Sequence, residues 1–140
     1  DRRYLEWRLK RPGGRYKVHE FRRGGVLRGI AVTTVQDKHG GRVGYVMEVL
    51  HVPDDHRAGE ILLGAALDDL VASGADVALA WCLEHSPNRT TYRRLGFRSL
   101  PESVRPIELH FGVRALDAPP DAALGNRRNW YLSYLDSDTV

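Results

Sequence analysis

The stretch that decides the fold is Tyr45–Val77, which reads YVMEVLHVPDDHRAGEILLGAALDDLVASGADV. Up to Pro53 it is a near-continuous apolar run, typical of a covered β-strand, and beyond Pro53 the apolar residues recur at helical spacing. The predicted apolar stripe of this helix consists of Leu63, Ala66, Leu67 and Leu70. Gly74 supplies the helix stop, and the chain returns as a second strand through Asp76–Trp81. The order indicates a βαβ unit, whose helix N-terminus presents unpaired N–H groups to anions such as phosphates.

The remaining elements are predicted from alternation, turn residues and helix caps. Before the βαβ helix we expect a short helix or turn in Asp1–Lys10, an edge strand at Tyr16–Phe21, a turn at Gly24-Gly25, a strand at Val26–Val35, a hairpin loop at Asp37–Gly41 and a strand at Arg42–Val52. After it we expect a strand at Asp76–Leu83, a helix with Ser86 as N-cap, Pro87 at its first position and Gly96 past its end, and strands at Phe97–Leu100, Arg105–Leu116 and Trp130–Leu135. The resulting order, β-β-β-α-β-α-β-β, predicts an α/β (α+β mixed) fold with a central mixed sheet and helices on its faces.

Length and composition favour a single domain. The chain has 140 residues, of which 42% are hydrophobic, enough for one full core. Its net charge is +3 and its pI about 9.2, and the basic residues are mostly arginines in doublets interspersed with acids. This pattern favours a solvated basic surface, leaves a polyphosphate ligand open, and makes a nucleic-acid partner the weakest reading.

Cysteine usage and hydropathy indicate the compartment. Cys82 is the only cysteine, which excludes an internal disulfide and fits a reducing environment. The sequence has no apolar run of membrane-spanning length and no signal-peptide pattern, so we expect a cytoplasmic protein without a membrane partner. Since the sequence does not begin with methionine, a piece of a longer protein or a trimmed chain is expected.

The element order, together with Tyr92-Arg93-Arg94-Leu95-Gly96-Phe97, resembles the GCN5-related N-acetyltransferase (GNAT) family. The resemblance covers roughly Tyr16 to Leu116, and the segment YRRLGF is similar to the family's Y-x-x-x-G-F. It implies that Tyr92 is a general acid near a thiolate leaving group. The flanking stretches DRRYLEWRL and NWYLSYLDSD resemble the C-terminal GNAT half of longer two-part proteins. We expect one domain over 1–140, with an N-terminal segment (1–15), a core (16–116) and a C-terminal loop and strand (117–140).

The loop after Pro53 departs from the family pattern. The family's coenzyme A motif, Q/R-x-x-G-x-G/A, cradles a pyrophosphate at the helix start, whereas the loop here is Asp54–Glu60 with a single glycine. Asp54, Asp55 and Glu60 oppose anion binding unless they point away or cap the helix. The resemblance implies acetyl-CoA as co-substrate, with its phosphate end at Val52, Arg57, Ala58, Gly59 and Glu60.

Acyl transfer to an amine needs a base, an oxyanion donor and an acid. Glu48 is the base candidate, because its strand resembles the family's splayed fourth strand and its apolar neighbours favour a raised pKa. The alternative for Glu48 is a surface carboxylate on an alternating strand. The resemblance implies that the backbone amides of Val49 and Leu50 polarise the thioester carbonyl. Tyr92 as general acid competes with Tyr92 as a packing residue.

Other polar residues have weaker claims to function. His85 and Asn88 flank the start of the second helix and could contact substrate or the pantetheine arm, although such residues more often cap and solvate a loop. His51 and His56 lack an established metal-ligand spacing, so we expect no metal.

Two further features have plain structural explanations. Cys82 has no partner of a catalytic triad in the sequence, and a small core residue is the favoured role. Asp136-Ser137-Asp138 could bind an amine, but a solvated tail is simpler.

The function expected from these residues is transfer of an acetyl or other acyl group from a coenzyme A thioester to the primary amine of a small molecule. The alternative is a catalytically inactive GNAT-like domain that packs against a second domain or subunit of a larger protein. Specificity in such folds comes from loops, so the sequence leaves the acceptor amine open.

Overall fold

A computed structural model describes residues 2–38, 40–53, 55–105, 112–114, 116 and 122–137. The main elements are α1 (Arg2–Leu9), β1 (Lys17–Arg23), β2 (Val26–Lys38), β3 (Gly41–His51), α2 (His56–Ala72), β4 (Val77–Ala80) and α3 (Arg89–Arg94). Shorter helical segments follow: a 3₁₀ turn at Glu102–Val104, α4 at Ala122–Gly125, and 3₁₀ turns at Arg127–Asn129 and Tyr134–Asp136. None of the described helices is long and apolar enough to cross a bilayer.

The sheet has the order β1-β2-β3-β4, in which β1, β2 and β3 form an antiparallel meander and β3 pairs with β4 in parallel. The predicted βαβ crossover and mixed sheet are therefore confirmed. The parallel ladder runs only from Val43–Val77 to Val46–Ala80, whereas β3 continues to His51. Because β4 ends at Ala80, β3 continues from Met47 to His51 without a β4 partner. The point where this pairing ends is called the divergence here, and it positions the candidate site.

A bulge in β3 lies at the start of the divergence. Val32 of β2 pairs with Glu48, but Thr33 pairs with Val46, so Met47 is the extra residue. Val46 and Val49 consequently pack in the same cluster although they are three positions apart. Bulges redirect side chains next to functional sites, and here the bulge changes the direction of Glu48.

The sheet is covered on both faces. On one face α2 contributes Leu62, Leu63, Ala66 and Leu70 to a cluster with Ala31, Val46, Val49 and Tyr92. Each of these large aliphatic side chains stabilises the fold by roughly 1.5–3 kcal/mol through burial. On the other face the buried residues are Val32, Val43, Tyr45, Met47 and Leu135, against which residues of α1 pack. The C-terminal segment, residues 130–137, is thus part of the second core.

Alanine substitution should have opposite effects on stability at two glycines, one in β2 facing α2 and one within α2. A Cβ on Gly29 would lie 2.7 Å from the carbonyl oxygen of Leu50 and 2.6 Å from Cδ1 of Leu62, so Gly29→Ala should destabilise the fold by roughly 1–3 kcal/mol. At Gly64, inside α2, no atom lies within 4 Å of such a Cβ, and Gly64→Ala should stabilise by about 0.5–1 kcal/mol. Urea denaturation of both variants checks this difference, and equal effects would contradict the packing described for β2 against α2.

The predicted start of the second helix is wrong. Asn88 is the N-cap of α3, and the helix begins at Arg89. Ser86 instead closes a turn, because its hydroxyl accepts the Asn88 N–H at 3.3 Å and its carbonyl accepts the Arg89 N–H at 3.1 Å. The side chain of Asn88 makes no cap bond, since it is used elsewhere in the fold.

Two predicted strands are also wrong, and one lies mostly outside the described residues. Trp130–Leu135 is extended only at its start, because a capping box between Ser133 and Asp136 turns the chain into a 3₁₀ helix. Phe97–Leu100 forms no strand; its first residue is tied back to α3 by a 3.0 Å bond from the Phe97 N–H to the Tyr92 carbonyl. The strand Asp76–Leu83 is shortened to Val77–Ala80, and most of Arg105–Leu116 is outside the described residues.

Candidate active site

Glu48 lies where β3 leaves β4, and its side chain is buried. Only 6% of the residue is exposed, and its carboxylate accepts three hydrogen bonds. The donors are the hydroxyl of Tyr131, the hydroxyl of Ser133 at 2.9 Å and the amide of Val49 at 2.8 Å. The alternative of a surface carboxylate does not describe this environment. Its role as base stays a prediction.

Burial raises the pKa of Glu48 above its usual value. The hydrogen bonds from Tyr131, Ser133 and Val49 act in the opposite direction because they stabilise the charged form, and the charge of Asp136 adds to the rise. A carboxylate with a raised pKa is a stronger base than a solvated one, which suits proton abstraction from an amine.

The backbone of Val49 points into the divergence and is fully engaged there. Its carbonyl accepts a hydrogen bond from Nδ2 of Asn88 at 2.6 Å and lies 3.3 Å from the Tyr131 hydroxyl oxygen, while its amide donates to Glu48. Asn88 Nδ2 also lies 3.1 Å from the Tyr131 hydroxyl. The Val49 amide would have to exchange this partner to polarise a thioester carbonyl. Leu50 pairs with Ile30 in the sheet.

Asp55 caps the N-terminus of α2. Its Oδ1 accepts the amide of Ala58 at 3.1 Å, and its Oδ2 pairs with the guanidiniums of Arg23 and Arg28, each at 3.2 Å. Burial alone would raise the pKa of the Asp55 carboxyl, but the Ala58 amide and the two arginines outweigh it and lower the pKa. The carboxylate therefore stays charged and is neutralised locally.

The residues predicted to hold the phosphate end of acetyl-CoA lie at the start of α2. There Asp55 already accepts the amide of Ala58 with Oδ1, at 3.1 Å, and the amide of Gly59 with its carbonyl, at 3.3 Å. Asp55 meets the stated condition because it caps the helix, and the Glu60 carboxylate pairs with Arg94. Arg57 is exposed in the first turn, whereas Ala58 and Gly59 are buried. A Cβ on Gly59 would lie 2.8 Å from Cδ2 of His51, so glycine lets the end of β3 pack closely on α2. Asp54 lies outside the described residues.

Tyr92 lies in α3, four residues after Asn88, and belongs to the core cluster between α2 and the sheet. It is 7% exposed, and its ring contacts Phe97 edge-to-face at a centroid distance of 5.1 Å. Burial raises its pKa well above the usual value, with smaller contributions from Cys82 and Glu48. The packing role is thus visible, and the general-acid role stays a prediction.

The other candidates have mainly structural contacts. The ring centroids of His51 and His56 lie 6.2 Å apart. Nε2 of His51 is buried without a hydrogen-bond partner among the described residues. His85 Nε2 lies 2.9 Å from the Trp130 carbonyl oxygen. Cys82 is half-buried and packs against the core cluster between α2 and the sheet. Among the residues that the structure describes, no group of three or more His, Cys, Asp or Glu side chains is placed to hold a metal.

The C-terminal segment is anchored from α1. The buried guanidinium of Arg8 donates to the carbonyls of Leu135, at 2.7 Å, and Ser137, and the Tyr4 hydroxyl donates to Asp136 at 2.9 Å. Asp136 therefore has structural partners within the described fold. Asp138 is outside the described residues.

Sequence reasoning missed Tyr131 and Ser133 as site residues. Trp130 and Ser133 have extended backbones, and side chains two apart in extended chain lie on the same side. The alternation in Trp130–Leu135 was thus a signal that these two polar groups face one target. Nothing in the sequence identified that target as Glu48, because the two elements are more than 80 positions apart.

Comparisons with known proteins identify the fold. No family model matches the chain, and no curated protein matches it in sequence. The chain is similar to the solved structure of a Trypanosoma brucei acetyltransferase, with a TM-score of 0.57 at 20% identity over 76% of this chain and 75% of the other. It is also similar to glucosamine-6-phosphate N-acetyltransferase from Arabidopsis thaliana, with a TM-score of 0.58 at 15% identity over 80% and 76%. The chain has the GNAT fold.

A further similar structure is an aminoglycoside acetyltransferase from an uncultured soil metagenomic sample, with a TM-score of 0.56 at 12% identity over 81% of this chain and 75% of the other. At these identities the likeness shows the fold alone. The GNAT fold expected from YRRLGF and the element order is confirmed, while the roles of individual residues rest on the geometry above.

Proposed function

We propose that this chain transfers an acyl group from a coenzyme A thioester to the primary amine of a small molecule. The observation that carries the proposal is Glu48, a buried carboxylate with three hydrogen-bond donors at the divergence of β3 and β4. Similar structures that share this fold are acetyltransferases, two of them named for a sugar phosphate and for aminoglycosides.

Acetyl-CoA would supply the acyl group as an activated thioester. Its phosphates are proposed to bind at the start of α2, at Val52, Arg57, Ala58, Gly59 and Glu60. Its pantetheine arm is proposed to contact Asn88. Glu48 accepts the proton of the attacking amine, which needs its carboxylate ionised. Tyr92 keeps its proton at neutral pH because its pKa is raised, and the protonated phenol is the form that a general acid needs.

Coenzyme titration tests the proposal directly. Acetyl-CoA at a hundredfold excess over its Kd should stabilise the chain by about 2.7 kcal/mol, measured as a rise in Tm. Arg57→Ala should weaken affinity because it removes the exposed guanidinium of the first turn of α2, whereas Arg3→Ala on α1 should leave affinity unchanged. No rise in Tm at millimolar acetyl-CoA would contradict acyl transfer by this chain.

A non-catalytic domain is the second candidate. The observation in its favour is that the Val49 carbonyl, at the divergence of the strands, is already covered by Asn88 and Tyr131. This reading predicts no binding of acetyl-CoA and an affinity for a second domain or subunit. The coenzyme titration separates the two candidates.

The cellular compartment and the partners of the chain are also proposals. The single cysteine, half-buried Cys82, fits a reducing compartment, and we propose the cytoplasm. We propose no nucleic-acid partner, since Arg23, Arg28 and Arg94 beside the site pair with carboxylates of the chain itself. The single-domain division over 1–140 stays a prediction.

A further inference from the structure

Building on the proposed function, we propose that Tyr131 and Ser133 are positioning residues, which hold the Glu48 carboxylate ionised and fixed for proton abstraction. The C-terminal segment, residues 130–137, is then a functional part of the site, although it lies outside the βαβ unit. Tyr131 is the phenol in contact with the base, whereas Tyr92 packs in the core.

The charge of Glu48 requires such donors. A buried carboxylate without a cation is costly unless its oxygens accept hydrogen bonds. Among the described residues no arginine, lysine or histidine forms an ion pair with Glu48; its partners are two hydroxyls and one amide. Two of its three donors therefore come from the C-terminal segment, so this segment opposes the rise of the Glu48 pKa that burial causes.

The segment is held firmly enough for this role. Leu135 is fully buried in the cluster with Tyr45 and Met47, and Arg8 donates to the carbonyls of Leu135 and Ser137. The hydroxyl of Tyr131 lies between Glu48, the Val49 carbonyl and Asn88, so it links the base to the start of α3. Tyr131 has 37% of its surface exposed, so its ring also borders the space outside the site.

Tyr134 provides a matched control from the same segment. Its ring centroid lies 5.4 Å from that of Tyr45 and 6.2 Å from that of Trp81, and none of the described hydrogen bonds of Glu48 involves Tyr134. Tyr131→Phe and Tyr134→Phe therefore remove the same atom three residues apart, but only the first removes a donor to the base.

The pKa of Glu48 is the decisive readout, and it needs no acyl donor. In protein carrying ¹³C-labelled glutamate side chains, the Glu48 carboxyl signal, assigned by its absence in Glu48→Gln, is titrated by NMR. Tyr131→Phe should raise the pKa of Glu48 by about one to two units, because a hydrogen bond to a charged group contributes about 1.5–3 kcal/mol and one unit is 1.36 kcal/mol. Ser133→Ala should raise it in the same direction, and Tyr134→Phe should leave it unchanged. An unchanged pKa in Tyr131→Phe, or an equal shift in Tyr134→Phe, overturns the inference.

The pH profile of kcat/KM extends the test to catalysis. The base is active as a carboxylate and is lost as pH falls through its pKa, so a raised pKa moves the acid limb of the profile to higher pH. Tyr131→Phe should lose most activity at the acid end and recover it as pH rises. A uniform loss at every pH would overturn the positioning role. If the pKa of Glu48 shifts as expected but no variant or wild-type protein transfers an acyl group, the proposed function alone fails.

Discussion

Glu48→Gln should lower kcat/KM for acyl transfer by about 10²–10⁴-fold, the usual contribution of a general base. Glutamine is similar in size to glutamate and can accept a bond from the hydroxyl of Tyr131 or Ser133, so the site stays filled. It cannot take a proton from the amine. Acetyl-CoA affinity should change little, because Glu48 is not among the residues proposed to hold the coenzyme. Steady-state kinetics together with a coenzyme titration separate these two quantities.

Glu84→Gln is the control for this prediction. Glu84 lies in the loop before α3 and is exposed, so the same chemical change occurs in solvent rather than in the site. Its kcat/KM should equal that of the wild type. Wild-type turnover in Glu48→Gln would remove Glu48 from the mechanism, even with acetyl-CoA binding intact.

The elements read most securely from the sequence were those whose determinants are local. The change of periodicity at Pro53 located β3 and α2, and the stop at Gly74 is confirmed, since α2 ends at Ala72 and Gly74 has φ +77°. Of the four predicted stripe residues, Leu63, Ala66 and Leu70 are buried, and Leu67 is partly buried against the same cluster. Each of these features depends on neighbours within one or two turns, which a single sequence displays.

One error occurred where a tertiary contact overrides a local signal, and another where two local signals compete. Ser86 and Pro87 are good helix-start residues, yet α3 begins at Arg89 with Asn88 as N-cap, and the Asn88 side chain bonds to the Val49 carbonyl. Trp130–Leu135 alternates like a strand, yet the Ser133–Asp136 capping box bends it. At Asn88 the partner is a distant backbone carbonyl that cap statistics do not contain, whereas the Ser133–Asp136 box is a local cap signal that the alternation outweighed in the prediction.

Only part of the candidate site could be predicted from the sequence. Glu48 could be selected because it is the one acid in an apolar strand, and the structure places it in a buried, hydrogen-bonded position. The effect of Asp55 on anion binding could be stated only as a condition. The neutralisation of its charge depends on Arg23, at the end of β1, and on Arg28, in β2. Long-range pairing of this kind depends on the sheet register, which the spacing along the chain does not encode.

Leu135→Ala should destabilise the fold by about 3 kcal/mol, a typical cost for a fully buried leucine. Leu135 belongs to the cluster with Val32, Tyr45 and Met47, so the substitution leaves a cavity on the second face of the sheet. Equilibrium urea unfolding measures the loss. Leu100→Ala is the matched control, since 39% of Leu100 is exposed, and it should cost less than about 1 kcal/mol.

The same substitution connects the core to the site. Tyr131 and Ser133 reach Glu48 from the segment that Leu135 anchors, so weaker anchoring lets both donors leave the carboxylate more often. The pKa of Glu48 should then rise in Leu135→Ala even under conditions in which the protein remains folded, and the acid limb of kcat/KM should move with it. Stability lost without any change in the pKa of Glu48 would mean that residues 130–133 hold their place independently of Leu135, through Arg8 and the Asn88 contact.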